Sequence, residues 1–189
     1  MNRKYLPGVS SAFRAFSIFS EMIHADLQIR EAVSTDAEHL WSIIHEVIAA
    51  GDTYAFAPDT PKADMLNYWF AAGAHPFVAL IDGEVAGTYV IRSNQPGLGS
   101  HIANGAFMTS SRFRRNGVGR AMGVHALKAA SQRGYLAMQF NFVVKSNTRA
   151  VALWESLGFK VMAEIPKAYR HTQNGFTNIY IMHRSLEDQ

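Results

Sequence analysis

The sequence predicts an α/β (α+β) domain in which a mixed, mostly antiparallel central sheet is flanked by helices, in the order β-α-α-β-β-β-α-β-α-β-β. Three observations carry this prediction. Segments with alternating apolar residues, typical of strands, take turns with segments whose apolar residues recur every three or four positions, typical of helices. The pair Asp82-Gly83 joins two apolar runs and favours a tight antiparallel hairpin. The composition, 48% hydrophobic and 17% charged, is that of a globular protein.

The helices are predicted from their end signals. Thr35-x-x-Glu38 matches a capping box and predicts the start of the first helix, which Gly51 ends. Pro61 fits the first turn of a second, short helix. A third helix follows a basic, glycine-containing turn, and a fourth spans about 148–157.

The strands are predicted from their β-rich apolar runs and the turns that separate them. In the fifth strand, alternation places Phe140, Phe142 and Val144 on one face and Asn141 on the other. The predicted strands lie at about 27–30, 77–81, 85–91, 102–109 and 136–144 and around Val161 and Ile179.

The first 21 residues differ from the rest of the chain. They carry three basic residues and one acid among scattered Phe and Ser. A presequence is one interpretation, although they contain no continuous apolar core or cleavage site. The other is an upstream start codon, with Met22 opening the domain. The chain is therefore divided into an N-terminal extension at 1–21, to which no role is assigned, and a domain at 22–189.

The composition excludes several classes of function. Lys and Arg number 18 against 15 Asp and Glu, a net charge of +3 that is too small for bulk nucleic-acid binding but suits a site for one polyanionic ligand. The sequence has no cysteine, which excludes disulfides, thiolate metal sites and a cysteine nucleophile. No apolar run approaches the roughly 20 residues of a membrane span. We expect a cytoplasmic protein without a metal, nucleic-acid or membrane partner.

The stretch Arg114–Ala121, between a predicted strand and a predicted helix, carries the main functional signal. The first N–H groups of a helix have no internal partner and attract anions. Gly117 and Gly119 have no side chain to keep a phosphate away from the backbone, so the stretch predicts a pyrophosphate site. The alternative is a glycine turn with solvated arginines. A nucleotide P-loop would need Gly-Lys-Ser/Thr, and a dinucleotide fingerprint would need its third glycine one position before Gly123.

Two motifs resemble those of the GCN5-related N-acetyltransferase (GNAT) family. Arg114-x-x-Gly117-x-Gly119 resembles the pyrophosphate loop of the family, and Asn147-x-x-Ala150-x-x-x-Trp154-x-x-x-Gly158-Phe159 resembles its second signature. The motifs occur in the order of the family, and the resemblance covers about residues 26–184. It implies the GNAT sheet, acetyl-CoA as co-substrate and acetyl transfer to an amine. Because dimers are common in the family, it also implies a homodimer.

The resemblance implies a role for each matched residue. The backbone from Phe107 to Thr109 would pair with the pantetheine arm like an added strand, and the N–H groups from Arg115 to Arg120 would hold the pyrophosphate. Asn147 would face the thiol end of the cofactor, and it is also a favoured helix N-cap. The predicted cofactor-binding residues are Phe107, Met108, Thr109, Arg114, Arg115, Asn116, Gly117, Val118, Gly119, Arg120, Asn147 and Trp154.

Two residues stand out in the predicted site. Trp154 replaces the tyrosine that the family uses as proton donor to the departing thiolate, and an indole cannot deliver a proton at neutral pH. Asn141 is a carboxamide in an apolar strand; it either orients the amine or the thioester carbonyl, or is a satisfied structural or solvated residue. We predict Asn141 and Asn147 as catalytic. No acid is placed as general base; His101, water or an amine that arrives neutral are the alternatives.

The acceptor site of the family is built from the first helix–loop–helix and the final strands, here 50–56 and 165–171. Both segments mix aromatic and polar residues, as small-ligand pockets do. Lys167, Arg170 and His171 would attract a carboxylate. The predicted substrate-binding residues are Thr53, Tyr54 and Tyr169.

The sequence thus predicts an acetyl-CoA-dependent N-acetyltransferase that acts on a small-molecule amine or an amino acid by direct transfer in a ternary complex. Trp154 and the run from Ile165 to Arg170 also resemble microbial acetyltransferases that act on proline analogues and other small amino acids. One alternative is acetylation of a protein amino terminus. The other is an acyl-CoA-binding sensor that has lost catalysis, which the replacement at Trp154 suggests.

Overall fold

One mixed sheet organises the computed structural model, which describes residues 27–187. Its strands follow the order β1-β2-β3-β4-β5-β7-β6, and each neighbouring pair is antiparallel except β4–β5, which is parallel. This confirms the predicted fold class, whereas the extension predicted at 1–21 lies outside the described residues. The strands are β1 (Leu27–Glu31), β2 (His75–Ile81), β3 (Glu84–Ser93), β4 (Ile102–Thr109), β5 (Ala137–Val144), β6 (Lys160–His171) and β7 (Gly175–Ser185).

Helices cover both faces of the sheet, because successive side chains of the central strands point to opposite sides. Val90 of β3 packs into an apolar cluster with the first two helices, and its neighbours Tyr89 and Ile91 pack into a second cluster with the other two. No helix within residues 27–187 is long and apolar enough to span a membrane. The helices are α1 (Ala37–Ala50), α2 (Lys62–Trp69), α3 (Val118–Gln132) and α4 (Thr148–Ser156).

The start of α1 differs from the prediction. The helix begins at Ala37 without the capping box expected at Thr35. Instead, the Asp36 carboxylate accepts the Val33 N–H at 2.8 Å and two guanidinium bonds from Arg30 at 2.7 and 2.8 Å. The hydrogen bonds from Arg30 hold the pKa of the Asp36 carboxyl below its ordinary value. The helix ends as predicted, with Gly51 in the left-handed region at φ +60°.

Strand β5 contains a bulge, so the strict alternation predicted there is wrong. Phe140 is opposite Met182, but Val143 is opposite Tyr180, which leaves one extra residue on β5. Phe142 is consequently turned outward and is 38% exposed, whereas Val143 is buried. Asn141 is exposed as well, so it is not a carboxamide enclosed in the core.

An opening between β4 and β5 positions the site. The two parallel strands pair only at Ile102–Ala137 and Ala103–Met138 and then separate. Among the described residues, the cleft-side backbone of the second half of β4 therefore has no strand to bond to. The N-terminal end of α4 follows directly from β5 and brings its first residues to the opening.

Candidate cofactor and acceptor site

Three adjoining cavities lie in and around the opening between β4 and β5. The first, of about 530 Å³, is here called the loop cavity because the turn before α3 lines one end. The second, of about 260 Å³, is called the aromatic cavity. The third, of about 220 Å³, is called the polar cavity and is lined by Asp52, Thr53, Ser146, Asn147, Thr148, Arg149 and His171.

The loop cavity contains the predicted anion site. Gly117 has φ +76°, which turns the chain into α3, and the bond from Ala121 N–H to the Gly117 carbonyl at 2.9 Å is the first within the helix. The N–H groups before Ala121 in the first turn therefore have no intrahelical acceptor. Four arginines add positive charge to the walls of this cavity: Arg114, Arg115, Arg120 and Arg149. The geometry and the charge both favour a pyrophosphate.

The two glycines of α3 serve different purposes. A Cβ on Gly119 would lie 3.5 Å from Leu153 Cδ2 and 3.9 Å from Thr109 Oγ1, which are ordinary contacts. A Cβ on Gly123 would lie 2.5 Å from Leu157 Cδ1, so Gly123 permits the close packing of α3 against α4. A side chain at position 123 would therefore force Leu157 to shift, whereas the small residue at 119 keeps space open beside the loop cavity.

The cleft-facing backbone of β4 is partly occupied. The Ser110 N–H bonds to the Ala86 carbonyl of β3 at 3.0 Å, so by alternation the backbone groups of Thr109 and Phe107 face the opening. The Phe107 N–H donates to the Tyr54 hydroxyl at 2.8 Å, and that hydroxyl donates to the Phe107 carbonyl at 2.7 Å. Tyr54 thus occupies the Phe107 backbone groups. Among the described residues, the backbone of Thr109 remains available for the pairing predicted with the cofactor arm.

The aromatic cavity lies deeper between the strands. Trp154 is 8% exposed, with its ring centroid 4.9 Å from that of Phe107 and 4.7 Å from that of Phe140. Asn147, Ala150 and Trp154 line this cavity together, as expected for residues that share one helix face. No charged side chain belongs to the lining, which consists of Thr53, Tyr54, Ala55, Phe56, Tyr68, Asn104, Gly105, Ala106, Phe107, Phe140, Asn141, Phe142, Val143, Val144, Asn147, Ala150 and Trp154.

Three asparagines supply carboxamides to the aromatic cavity. Asn147 Oδ1 accepts the Ala150 N–H at 3.2 Å, so it caps α4 while it lines all three cavities. Asn141 Oδ1 accepts from Gln139 Nε2 at 2.8 Å, and its Nδ2 donates to Asn94 Oδ1 at 2.6 Å. Asn104 is the third asparagine and is not among the residues predicted from the sequence, although a polar residue that shares a strand face with buried Ala106 was a usable signal.

The polar cavity joins the other two through shared residues. Thr53 lines all three cavities, and its Oγ1 is buried without a hydrogen-bond partner among the described residues. His171 Nδ1 accepts the N–H groups of Gln173 and Asn174 at 3.1 and 3.3 Å. Within residues 27–187 no group of three or more His, Cys, Asp or Glu side chains is placed to hold a metal ion.

Several predicted site residues lie apart from the three cavities. Tyr169 packs against Val144 and Ile179 in a small apolar cluster, where burial raises the pKa of its hydroxyl. The segment that contains it is part of strand β6. The other residues outside the three linings are Asn116, His101, Lys167 and Arg170. Of the three basic residues expected to attract a carboxylate, His171 alone lines a cavity described here.

The remaining predicted residues are brought together at one opening. Phe107, Asn147, Thr53 and Tyr54 line both the loop cavity and the aromatic cavity. The loop cavity is lined by Val47, Ala50, Asp52, Thr53, Tyr54, Phe107, Met108, Thr109, Phe113, Arg114, Arg115, Gly117, Val118, Gly119, Arg120, Asn147, Arg149 and Leu153. It therefore includes each predicted cofactor-binding residue except Asn116 and Trp154.

The sheet opens beside a glycine-turned helix start, an arrangement that provides a groove with an anion site at one end. A sequence model described as the acetyltransferase (GNAT) family matches residues 36–159, which is more than half of the chain. The chain belongs to the GNAT family.

Individual relatives agree with this assignment. The chain is 36% identical to N-acetyltransferase aca1 of Schizosaccharomyces pombe over 106 residues, which cover 54% of this chain. The match spans about half (51%) of that curated relative. A GCN5-related N-acetyltransferase from Kribbella flavida has 36% identity and a TM-score of 0.81, over 84% of this chain and 97% of that one.

A more distant structure shares the fold. A putative acetyltransferase from Salmonella typhimurium, determined with its cofactor acetyl-CoA, has a TM-score of 0.77. It covers 87% of this chain and 96% of its own at 18% sequence identity.

Proposed function

We propose that the protein is an acetyl-CoA-dependent N-acetyltransferase that acetylates the amine of a small molecule or an amino acid by direct transfer in a ternary complex. One observation carries this proposal: a cavity suited to a pyrophosphate and a small aromatic cavity meet at Thr53, Tyr54, Phe107 and Asn147. Two substrates, one in each cavity, would meet at these four residues, here called the junction. Holding two reactants together in this way supplies much of the rate of a two-substrate reaction.

The residues of the loop cavity fit acetyl-CoA. The free N–H groups of the first turn of α3 and the nearby arginines would hold the pyrophosphate, and the backbone of Thr109 would bond to the pantetheine arm. The buried Thr53 Oγ1, unpartnered among the described residues, offers one more polar group at the junction. Acetyl-CoA supplies the acetyl group as a thioester, which an amine attacks.

The aromatic cavity supports a small acceptor. Its volume of about 260 Å³ is below the roughly 300–1,000 Å³ of pockets for drug-sized ligands. Its polar groups are neutral carboxamides and hydroxyls, which orient a ligand without selecting for a strong charge. The microbial enzymes for small amino acids, which part of the sequence resembles, agree with an acceptor of this size.

The chain contributes positioning more clearly than acid–base catalysis. Among residues 27–187 no carboxylate or imidazole lines the aromatic cavity, so the amine arrives neutral or passes its proton out of this cavity. Trp154 walls the cavity and cannot protonate a thiolate. We assign Asn141 to orienting the acceptor, since its amide stands at the edge of the cavity, and Asn147 to the cofactor end. We also propose that the protein is cytoplasmic and forms a homodimer, since dimers are common in the family.

The experiment that tests the proposal measures CoA release, as free thiol, from acetyl-CoA with a panel of free amino acids, simple amines and short peptides. We expect turnover with small amines or amino acids. Turnover with peptides alone would favour acetylation of protein amino termini. Tight acetyl-CoA binding without turnover of any acceptor would indicate a sensor and refute the proposed activity.

A further inference from the structure

The Tyr54 hydroxyl makes two hydrogen bonds at the junction. It bridges the N–H and the carbonyl of one residue, Phe107, with bonds of 2.8 and 2.7 Å. Tyr54 comes from the segment after α1, whereas Phe107 lies 53 residues further on, in β4. The hydroxyl is thus fixed against the β4 backbone, and Tyr54 lines both the loop cavity and the aromatic cavity.

The bonds that Tyr54 already makes restrict what it can offer a substrate. A phenol has one hydrogen to donate and two oxygen lone pairs. The hydrogen and one lone pair are used on Phe107, so one lone pair is left. Burial raises the pKa of the Tyr54 hydroxyl above its ordinary value, so the phenol keeps its proton at neutral pH. While both bonds to Phe107 are kept, Tyr54 can only accept a hydrogen bond from a molecule in the cavities. It is not a substitute for the proton donor that Trp154 replaces.

The proposed reaction brings a hydrogen-bond donor to this point. The thioester itself has a carbonyl oxygen and a sulfur but no N–H or O–H group. The nearest donor of the cofactor is the amide N–H two carbons from the sulfur, and removal of a hydroxyl that bound it would weaken acetyl-CoA binding. An amine in the aromatic cavity carries N–H groups and must reach the thioester at the junction. We propose that the Tyr54 hydroxyl accepts a hydrogen bond from the acceptor amine and thereby aims the nitrogen lone pair at the thioester carbonyl. This positioning role rests on the proposed function.

The role is consistent with the balance of the reaction. The nitrogen lone pair forms the C–N bond, the C–S bond breaks, and its electron pair leaves with the sulfur. The surplus proton of the amine passes to water, and the sulfur takes a proton from water or leaves as thiolate. Tyr54 neither gains nor loses a proton. Tyr54 contributes by orienting the nitrogen lone pair of the amine. Small errors in the placement of a nucleophile lower the reaction rate strongly.

The test uses Tyr54→Phe, which removes the hydroxyl and keeps the ring. We expect kcat/KM for the acceptor to fall by about tenfold to a hundredfold, while the Kd of acetyl-CoA, measured by calorimetric titration, stays unchanged. Tyr89→Phe is the matched control. Tyr89 is buried, and its hydroxyl also forms a hydrogen bond, to His125 Nδ1, but it lines none of the three cavities. The control should lower the melting temperature and leave the acceptor kinetics unchanged.

Three results would overturn the proposal. The first is unchanged acceptor kinetics in Tyr54→Phe. The second is a loss of activity that merely follows the loss of folded protein in circular dichroism. The third is tighter binding of acetyl-CoA, which would mean that the hydroxyl competes with the cofactor for the Phe107 backbone. A wild-type protein that releases no CoA with any amine would instead refute the proposed function, so the two failures are distinguishable.

Discussion

Replacement of Gly119 by valine separates the cofactor site from the fold. A Cβ at this position meets Leu153 Cδ2 at 3.5 Å and Thr109 Oγ1 at 3.9 Å, so one methyl group fits without displacing its neighbours. The two γ carbons of valine extend about 1.5 Å further. They must move these neighbours or enter the loop cavity, where they would hold a phosphate away from the backbone N–H groups.

The expected loss follows from the bonds involved. A hydrogen bond to a charged group contributes about 1.5–3 kcal/mol. Losing two such bonds at the lower value costs about 3 kcal/mol, which is roughly a hundredfold in Kd. Calorimetric titration of Gly119→Val with acetyl-CoA should therefore show binding weakened at least about a hundredfold, with the circular dichroism of the wild type. Gly119→Ala is the matched control and should bind nearly as well as the wild type.

A second glycine provides the opposite control. Gly123→Ala places a Cβ 2.5 Å from Leu157 Cδ1 and 3.2 Å from Trp154 Cζ3, between α3 and α4. We expect it to lower the free energy of unfolding by about 1–3 kcal/mol, as overpacking does, without a specific effect on the pyrophosphate site. If Gly119→Val binds acetyl-CoA with wild-type affinity and folds normally, the turn before α3 is not the pyrophosphate site.

Three further outcomes are expected. Trp154→Phe should keep most of the activity because the indole acts as a wall; a loss beyond roughly a hundredfold, the low end of general-acid effects, would contradict this. Asn141→Ala should lower turnover or raise the acceptor KM at least about tenfold, equivalent to about 1.4 kcal/mol. Its melting temperature should change little because Asn141 is exposed; unchanged kinetics would refute the role. Asp36→Asn should lower the free energy of unfolding by about 1–2 kcal/mol near pH 7. Urea unfolding should show that this difference becomes smaller in acid. The folded pKa of Asp36 is lowered, so its stabilisation is present above the ordinary value of 3.8 and lost as the pH falls through the folded pKa; a cost independent of pH would contradict this.

Local signals account for what the sequence could predict. The hairpin at Asp82-Gly83 forms as expected because both residues adopt positive φ, 50° and 80°, which few other pairs tolerate. The pyrophosphate site could be proposed from the sequence because its glycines, its arginines and the helix start are contiguous in the chain. The matched family model and the relatives agree with the function that this loop indicates.

The errors arose where packing overrides a regular pattern. Alternation along β5 assumes an unbroken ladder, but the bulge after Phe140 turns Phe142 outward and Val143 inward. The irregular pairing of β6 with β7 also places the Tyr169 ring among apolar neighbours, which the sequence pattern did not indicate, and its contact with an acceptor stays a prediction. A bulge depends on how two strands distant in sequence twist against each other, so the residue types in β5 do not predict it.

The junction shows most clearly what could not be predicted from the sequence. Thr53 and Tyr54 could be assigned to the acceptor site, but the bond between the Tyr54 hydroxyl and the Phe107 backbone joins positions 53 residues apart, and no spacing in the chain encodes it. A tyrosine is ordinarily a candidate proton donor, but because of that bond the role that we propose for Tyr54 is that of a hydrogen-bond acceptor. The same residue type can therefore serve opposite roles, and the role here follows from where its one hydrogen is already bound. Tyr54 could replace the tyrosine that the second motif lacks only if its hydroxyl hydrogen were available to the substrate. That hydrogen is bonded to the Phe107 carbonyl.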